Sequence, residues 1–179
     1  MEPTSKSVKV LNNRNFYFLL FTMAIFLNSN AQEKRRYPKT FIYAGSYYIG
    51  TDIEKGRIGS ATVYPETDST VLFYVEANRG APSYNMGQLY GRLKLINGQG
   101  VFYSNEKNSG KSCKFSCNFK SNQMIVKTLD NEDNCGFGFG VYIDGAFKRR
   151  SKKIPSYFED LTGSKIYFRK TSPENWMAP

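Results

Sequence analysis

Apolar and polar residues alternate along most of this chain, with the period of two that marks a half-buried β-strand. The clearest case runs from Cys113 to Phe147. Cys113, Phe115, Cys117 and Phe119 fall at every second position, as do Phe137, Phe139, Val141, Ile143 and Phe147. This stretch predicts three strands, 113–119, 123–129 and 135–147, whose apolar faces line a core. Upstream, Phe41–Ile49 predicts a first strand and 57–64 a second, while Thr70–Ala77 sets Val71, Phe73 and Val75 on one face and Thr70, Tyr74 and Glu76 on a wet one. Leu72 is the exception on that wet face. Gly87–Ile96 turns Leu89, Leu93 and Leu95 inward. Asn97-Gly98 then predicts a tight hairpin into Gly100–Tyr103, because both central residues of such a turn must tolerate positive φ.

Turn compositions separate these runs: Pro65-Glu-Thr-Asp-Ser, the loop 78–86 with Tyr84 at its tip, and the polar turn 105–111. A last strand is expected at Lys165–Arg169, and 171–179 reads as a tail. About eight or nine short strands at regular spacing predict an all-β fold. They form a single antiparallel meander closed into a small lipocalin-like barrel, or a sandwich, over residues 41–170.

The first thirty residues follow a different pattern. Lys6, Lys9 and Arg14 precede the apolar run Phe16–Leu27, and Ser29 and Ala31 are small. These are the parts of a secretory signal peptide, with cleavage after Ala31. Twelve residues of helix reach only about 18 Å, short of a hydrocarbon core of about 30 Å. No cysteine follows the run, so lipid attachment there is excluded. The mature chain is expected in a secreted or periplasmic compartment, with 32–40 as a flexible lead-in.

Cleavage removes Lys6, Lys9, Arg14 and Glu2, leaving 22 basic and 14 acidic residues and a formal charge of +8. Such a surface favours anionic partners. The chain has no histidine, which removes the commonest general base near neutral pH and the usual zinc ligand. A non-enzymatic protein without a cofactor is expected. Lys148, Arg149, Arg150, Lys152 and Lys153 put five positive charges in six residues. A barrel interior cannot hold such charges unpaired, so this segment is expected to leave the sheet as an exposed loop or edge and to offer an anionic-ligand patch.

Three weaker constellations carry less. Gly136-Phe-Gly-Phe-Gly-Val lacks the strand-then-helix context of a nucleotide-binding loop. Asp130, Glu132 and Asp133 lack an EF-hand spacing. Glu159 and Asp160, as neighbours in a strand, would point to opposite faces.

Three cysteines in an oxidising compartment leave one over. Cys113 and Cys117 lie about 13 Å apart along an extended strand, too far to pair, whereas either can meet Cys135. Taken together, Cys113-x5-Phe119, Val126 and Cys135-Gly-Phe-Gly-x-Gly-Val141-x3-Gly145-Ala-Phe147 resemble a small secreted β domain. That domain is found alone or at the end of bacterial envelope proteins described as lysozyme-inhibitor-like. The resemblance spans residues 113–147 and implies a Cys113–Cys135 disulfide, with Cys117 where an apolar residue is the rule. Phe147 departs from it, standing where the family tends to have tyrosine.

The function these features predict is an exported, envelope-associated binding protein for an anionic or hydrophobic ligand, its partner a glycan, a lipid or an envelope protein. Nucleic acid is not expected, nor a membrane span in the mature chain. A hollow barrel would favour a small apolar ligand inside, and a filled one would move the site to the outer surface. The alternative is an inhibitor or immunity-type partner that blocks an enzyme with the loop 78–86. Against a basic lysozyme as that enzyme, a +8 chain would be repelled at long range.

Overall fold

A computed structural model describes residues 37–105, 112–133 and 135–176. The leader, residues 32–36, the turn 106–111 and the last three residues of the tail lie outside the described residues. The chain is all-β. Eight strands, β1 (Gly45–Ile49), β2 (Ile58–Pro65), β3 (Thr70–Asn78), β4 (Met86–Lys94), β5 (Gln99–Asn105), β6 (Ser112–Lys120), β7 (Gln123–Asp133) and β8 (Gly145–Ser151), form one antiparallel sheet in the order β4-β3-β2-β1-β8-β7-β6-β5. Every neighbour is also a sequence neighbour except β1 and β8, which bring the two halves of the meander together. The sheet is thereby nearly closed into a barrel. Its seam lies between β4 and β5.

The Asn97-Gly98 hairpin holds one end of that seam, with φ of 52° and 79° at the two residues, as the turn demands. Ile96 and Gln99 exchange backbone hydrogen bonds of 2.8 and 3.0 Å there. Further along, side chains close the gap. Phe102 of β5 meets Phe73 edge to face at 5.2 Å, and a Cβ at Gly91 of β4 would come within 2.6 Å of both rings. Glycine is what lets the aromatic cross the seam.

The inward positions are Tyr47, Val63, Val71, Phe73, Val75, Phe115, Cys117, Phe119, Met124, Val126 and Phe147, all buried in one cluster. Phe147 is 0% exposed. Burial of one such ring contributes about 1.5–3 kcal/mol. A gap among these side chains measures about 10 Å3, at the threshold for a single water. The interior is filled. Outward positions carry Thr62, Ser60, Lys148, Arg150 and Lys127, so the apolar face points in and the charged face out.

Both barrel ends are covered, and here the structure departs from the strand pattern. Residues 37–43 are not strand: Lys39–Tyr43 is a short 3-10 turn after Pro38, with buried Thr40 donating to the Thr67 carbonyl at 2.6 Å. The chain is therefore already fixed within the predicted lead-in, and Tyr43 lies over Phe119 at 5.0 Å. At the other end, 135–144 is an irregular plug. Val141 and Ile143 drop into the core, Phe137 packs on Gly87, Gly138 N–H donates to Met86 O, and Phe139 is thrown out, 85% exposed. Gly136 and Gly140 sit at φ 75° and 73°, which breaks the extended run that their phenylalanine neighbours suggest.

The expected last strand belongs to a separate hairpin. β9 (Tyr157–Glu159) and β10 (Lys165–Tyr167) pair with each other and lie outside the sheet. Phe158 stacks on Tyr74 with centroids 4.0 Å apart, Phe168 stacks on Tyr64, and Trp176 of the tail meets Tyr74, Tyr90 and Phe158 edge-on. The supposedly wet face with Leu72 and Tyr74 is thus a second, outer core. Arg92 ties it down through Glu66 at 2.8 Å and through Glu174.

Candidate anion-binding cleft

The basic run leaves the sheet only at its end, where Lys152 and Lys153 follow Ser151, the last residue of β8. Lys148 and Arg149 sit in β8, a central strand, with Lys148 opposite both Gln123 of β7 and Tyr48 of β1. For Lys148, Arg149 and Arg150 the expectation of a loop or edge is corrected by strand alternation at the barrel's end. Phe147 points inward, so Lys148 points out and Arg149 in, and only one charge had to be accommodated inside. That charge is paired. Arg149 Nε donates to the Tyr47 hydroxyl at 2.8 Å, its Nη2 donates to the Ile42 carbonyl at 2.7 Å, and the guanidinium lies 5.0 Å from the Tyr47 ring centre. The Tyr47 hydroxyl in turn donates to Tyr43 O at 2.7 Å. Burial pushes the Tyr47 hydroxyl above its usual range, and the Arg149 hydrogen bond and charge pull partly against this.

Beyond Arg149 the register slips, from Tyr47↔Arg149 to Ser46↔Ser151, so Arg150 is the extra residue of a β-bulge. Gly45 makes the close approach possible: at φ 136°, a Cβ there would stand 1.9 Å from Ser151 O. Lys148, Arg150, Lys152 and Lys153 are all exposed, and none has a carboxylate partner among the described residues. Across from them stands the β6–β7 turn, Lys120 to Gln123, held by Arg149 N–H donating to Asn122 O at 2.8 Å. Between turn and strand lies an open cleft of about 520 Å3, lined by Lys120, Asn122, Gln123, Lys148, Arg149, Arg150 and Lys152. Lys153 stays outside it.

The cleft brings four cations without a carboxylate partner among the described residues, Lys120, Lys148, Arg150 and Lys152, next to neutral amide donors on Asn122 and Gln123. Such a set holds a phosphate or carboxylate through charge-assisted hydrogen bonds. Lys120, Asn122 and Gln123 were not legible as site residues, because only the non-local pairing of β7 with β8 puts that turn beside the basic run.

The other candidates separate from this cleft. Cys113 and Cys135 are joined, with Cα atoms 4.6 Å apart, and pin the plug 135–144 to β6. Cys117 is free and buried, and burial pushes its thiol up to about 12, so it is a protonated filler at neutral pH. Asp130 pairs with Lys114. Asp160 accepts from Thr162 and Ser164 in its own turn, while Glu159 is exposed beside Lys165. The loop 78–86 is stiffened by Tyr84 donating to Glu54 at 2.8 Å and Asn85 donating to Phe139 O at 2.8 Å.

Among the described residues no helix is long and apolar enough to cross a membrane. No protein-family model matches the chain, and neither a curated protein nor a solved structure does.

Proposed function

We propose that this chain is an exported, non-enzymatic binding protein that holds an anionic partner on its outer surface, in the cleft between the β6–β7 turn and β8. The observation that carries the reading is the set of unpaired exposed cations around a cleft of about 520 Å3. The filled interior argues in the same direction, since a gap of about 10 Å3 admits no apolar ligand. Export rests on the leader and agrees with a disulfide. A charged outer face over an apolar interior is the inverse of a lipid-facing barrel, which supports a domain outside the bilayer.

The test is retention on an immobilised anionic polymer. Wild-type protein binds at low salt and elutes as the Debye length shrinks to about 8 Å at physiological ionic strength. Lys148→Gln, Arg150→Gln and Lys152→Gln combined abolish retention and leave the fold unchanged. Unchanged retention of that variant refutes the reading.

The second reading, an inhibitor or immunity-type partner, is favoured by one observation. The stiffened loop 78–86 presents Tyr84 and Met86 beside the exposed Phe139 ring, a preorganised apolar tip of the kind that fills an enzyme's cleft. Stoichiometric capture of an enzyme that Tyr84→Ala with Phe139→Ala abolishes would favour it over the first.

A further inference from the structure

Strand registers align seven residues on one rung of the sheet's outward face, the last of them, Gln88, buried where it accepts from the Tyr74 hydroxyl and Leu161 N–H. Lys120 pairs with Gln123, Gln123 with Lys148, Lys148 with Tyr48, Tyr48 with Ser60, Ser60 with Glu76 and Glu76 with Gln88. The rung thus crosses six strand boundaries and follows the curve of the barrel wall. Its basic end lies in the cleft described above. Its other half opens into a second cleft, of about 340 Å3, in which Tyr48, Ser60 and Glu76 are walled by Ile53, Ile58 and Met86. Lys148 of the first cleft stands opposite Tyr48 of the second.

The chemistry along this track is graded. At one end are unpaired cations. In the middle stands an aromatic ring, Tyr48, 45% exposed although its neighbour Tyr47 is fully buried. At the far end Glu76 accepts from the Ser60 hydroxyl at 2.9 Å, with lone pairs left to accept further hydroxyl donors. Adjacent strands are about 4.8 Å apart, so about 14 Å separates the backbone positions of Lys148 and Glu76.

Resting on the reading of the basic cleft as an anion site, we propose that the partner is an acidic glycan, with its carboxylate- or phosphate-bearing sugar in the basic cleft and an adjoining uncharged sugar stacked on Tyr48. The polarity of the track selects this class. A polyanion charged at every unit can occupy the basic cleft but gains nothing from the rest of the track, where the Glu76 carboxylate repels its charge. A sugar ring offers an apolar C–H face to Tyr48 and hydroxyl donors to Glu76, and the neutral half of the ligand meets no unpaired cation. Ser60 fixes the carboxylate in place before binding, which lowers the ordering cost.

The test uses the full mature chain and three probes: an oligosaccharide that alternates uronic acid with neutral sugar, inorganic polyphosphate, and a neutral oligosaccharide. Tyr48→Ala weakens binding of the alternating oligosaccharide by about fivefold or more, the scale of one aromatic contact, while polyphosphate binding is unchanged. Tyr48→Trp retains the sugar binding, which separates lost stacking from lost folding. Lys148→Gln with Arg150→Gln weakens both anionic probes. If Tyr48→Ala leaves the oligosaccharide bound as tightly as before, or weakens both anionic probes alike, the glycan inference is overturned while the anion cleft stands. Wild-type binding of polyphosphate alone has the same consequence. If wild-type protein binds neither anionic probe, the anion cleft fails as well.

Discussion

Arg149 and Arg150 are adjacent in sequence and opposite in role, and this difference is measurable. Arg149→Ala removes three hydrogen bonds from a cation, two to the Tyr47 hydroxyl and one to the Ile42 carbonyl, and a cation–π contact at 5.0 Å. Fully buried, one such bond would contribute about 1.5–3 kcal/mol. Arg149 lies at the half-exposed end of the barrel, so screening by water brings the whole loss to about 1–2 kcal/mol. The Tyr47 hydroxyl keeps its own bond to Tyr43 O, which limits the damage. For a domain of this size that is a fall of about 3–7 °C in Tm. Arg150→Ala removes only an exposed bulge side chain and should stay within about 0.5 kcal/mol of wild type. Urea unfolding of both variants, with equal m-values, is the assay. Equal loss in the two, or greater loss in Arg150→Ala, would refute the inward placement of Arg149.

Other consequences follow from the same geometry. Cys113→Ser with Cys135→Ser opens a loop with a sequence separation of 22 and should lower stability by about 3 kcal/mol by chemical denaturation. Phe158→Ala should strip the β9–β10 hairpin from the sheet at a cost of about 3 kcal/mol. Because the chain has a single tryptophan, red-shifted Trp176 emission before the barrel unfolds would report that release, and unshifted emission would contradict the outer core. Burial raises the folded-state pKa of the Tyr47, Tyr74 and Tyr90 hydroxyls. Their contribution to stability is therefore fully present below the unfolded tyrosine value of about 10 and is lost as pH rises above it. Spectrophotometric titration should show exposed tyrosines ionising first and these three only with unfolding. The Cys117 thiol should resist alkylation in the native state at pH 8 and react once the chain is unfolded.

The parts of the fold that were legible in the sequence are those fixed by local rules. Asn97-Gly98 determines its own turn, and the alternation in Thr70–Ala77 and 113–119 needs only one inward face. The failures share a cause, which is that contacts distant in sequence reassign a locally correct pattern. The alternating phenylalanines of 135–144 look like a strand, yet the disulfide and two left-handed glycines fold them into a plug. Leu72 was the visible sign that the outer face of β3 is covered, but the cover, β9 and β10, lies nearly ninety residues away. The exit of the basic run from the sheet was inferred three residues too early, since Lys148 to Arg150 stay in β8 and only Lys152 and Lys153 lie beyond it. The rule against buried charge holds for all five residues, but alternation exposes Lys148, the bulge frees Arg150, and Tyr47 partners Arg149. Half of the cleft, the turn Lys120 to Gln123, has no signature of its own. Tyr48 has no signature of its own within the first strand, and only the register makes it the exposed centre of a rung.

Chemical-shift mapping of the labelled protein with the alternating uronic acid oligosaccharide tests the central claim most directly. The account predicts saturable, salt-sensitive shifts at the amides of Lys120 to Gln123 and Lys148 to Lys152, with none at the interior residues Phe115, Cys117 and Val126. Shifts confined to the interior, or to the loop 78–86 with Phe139, would contradict it.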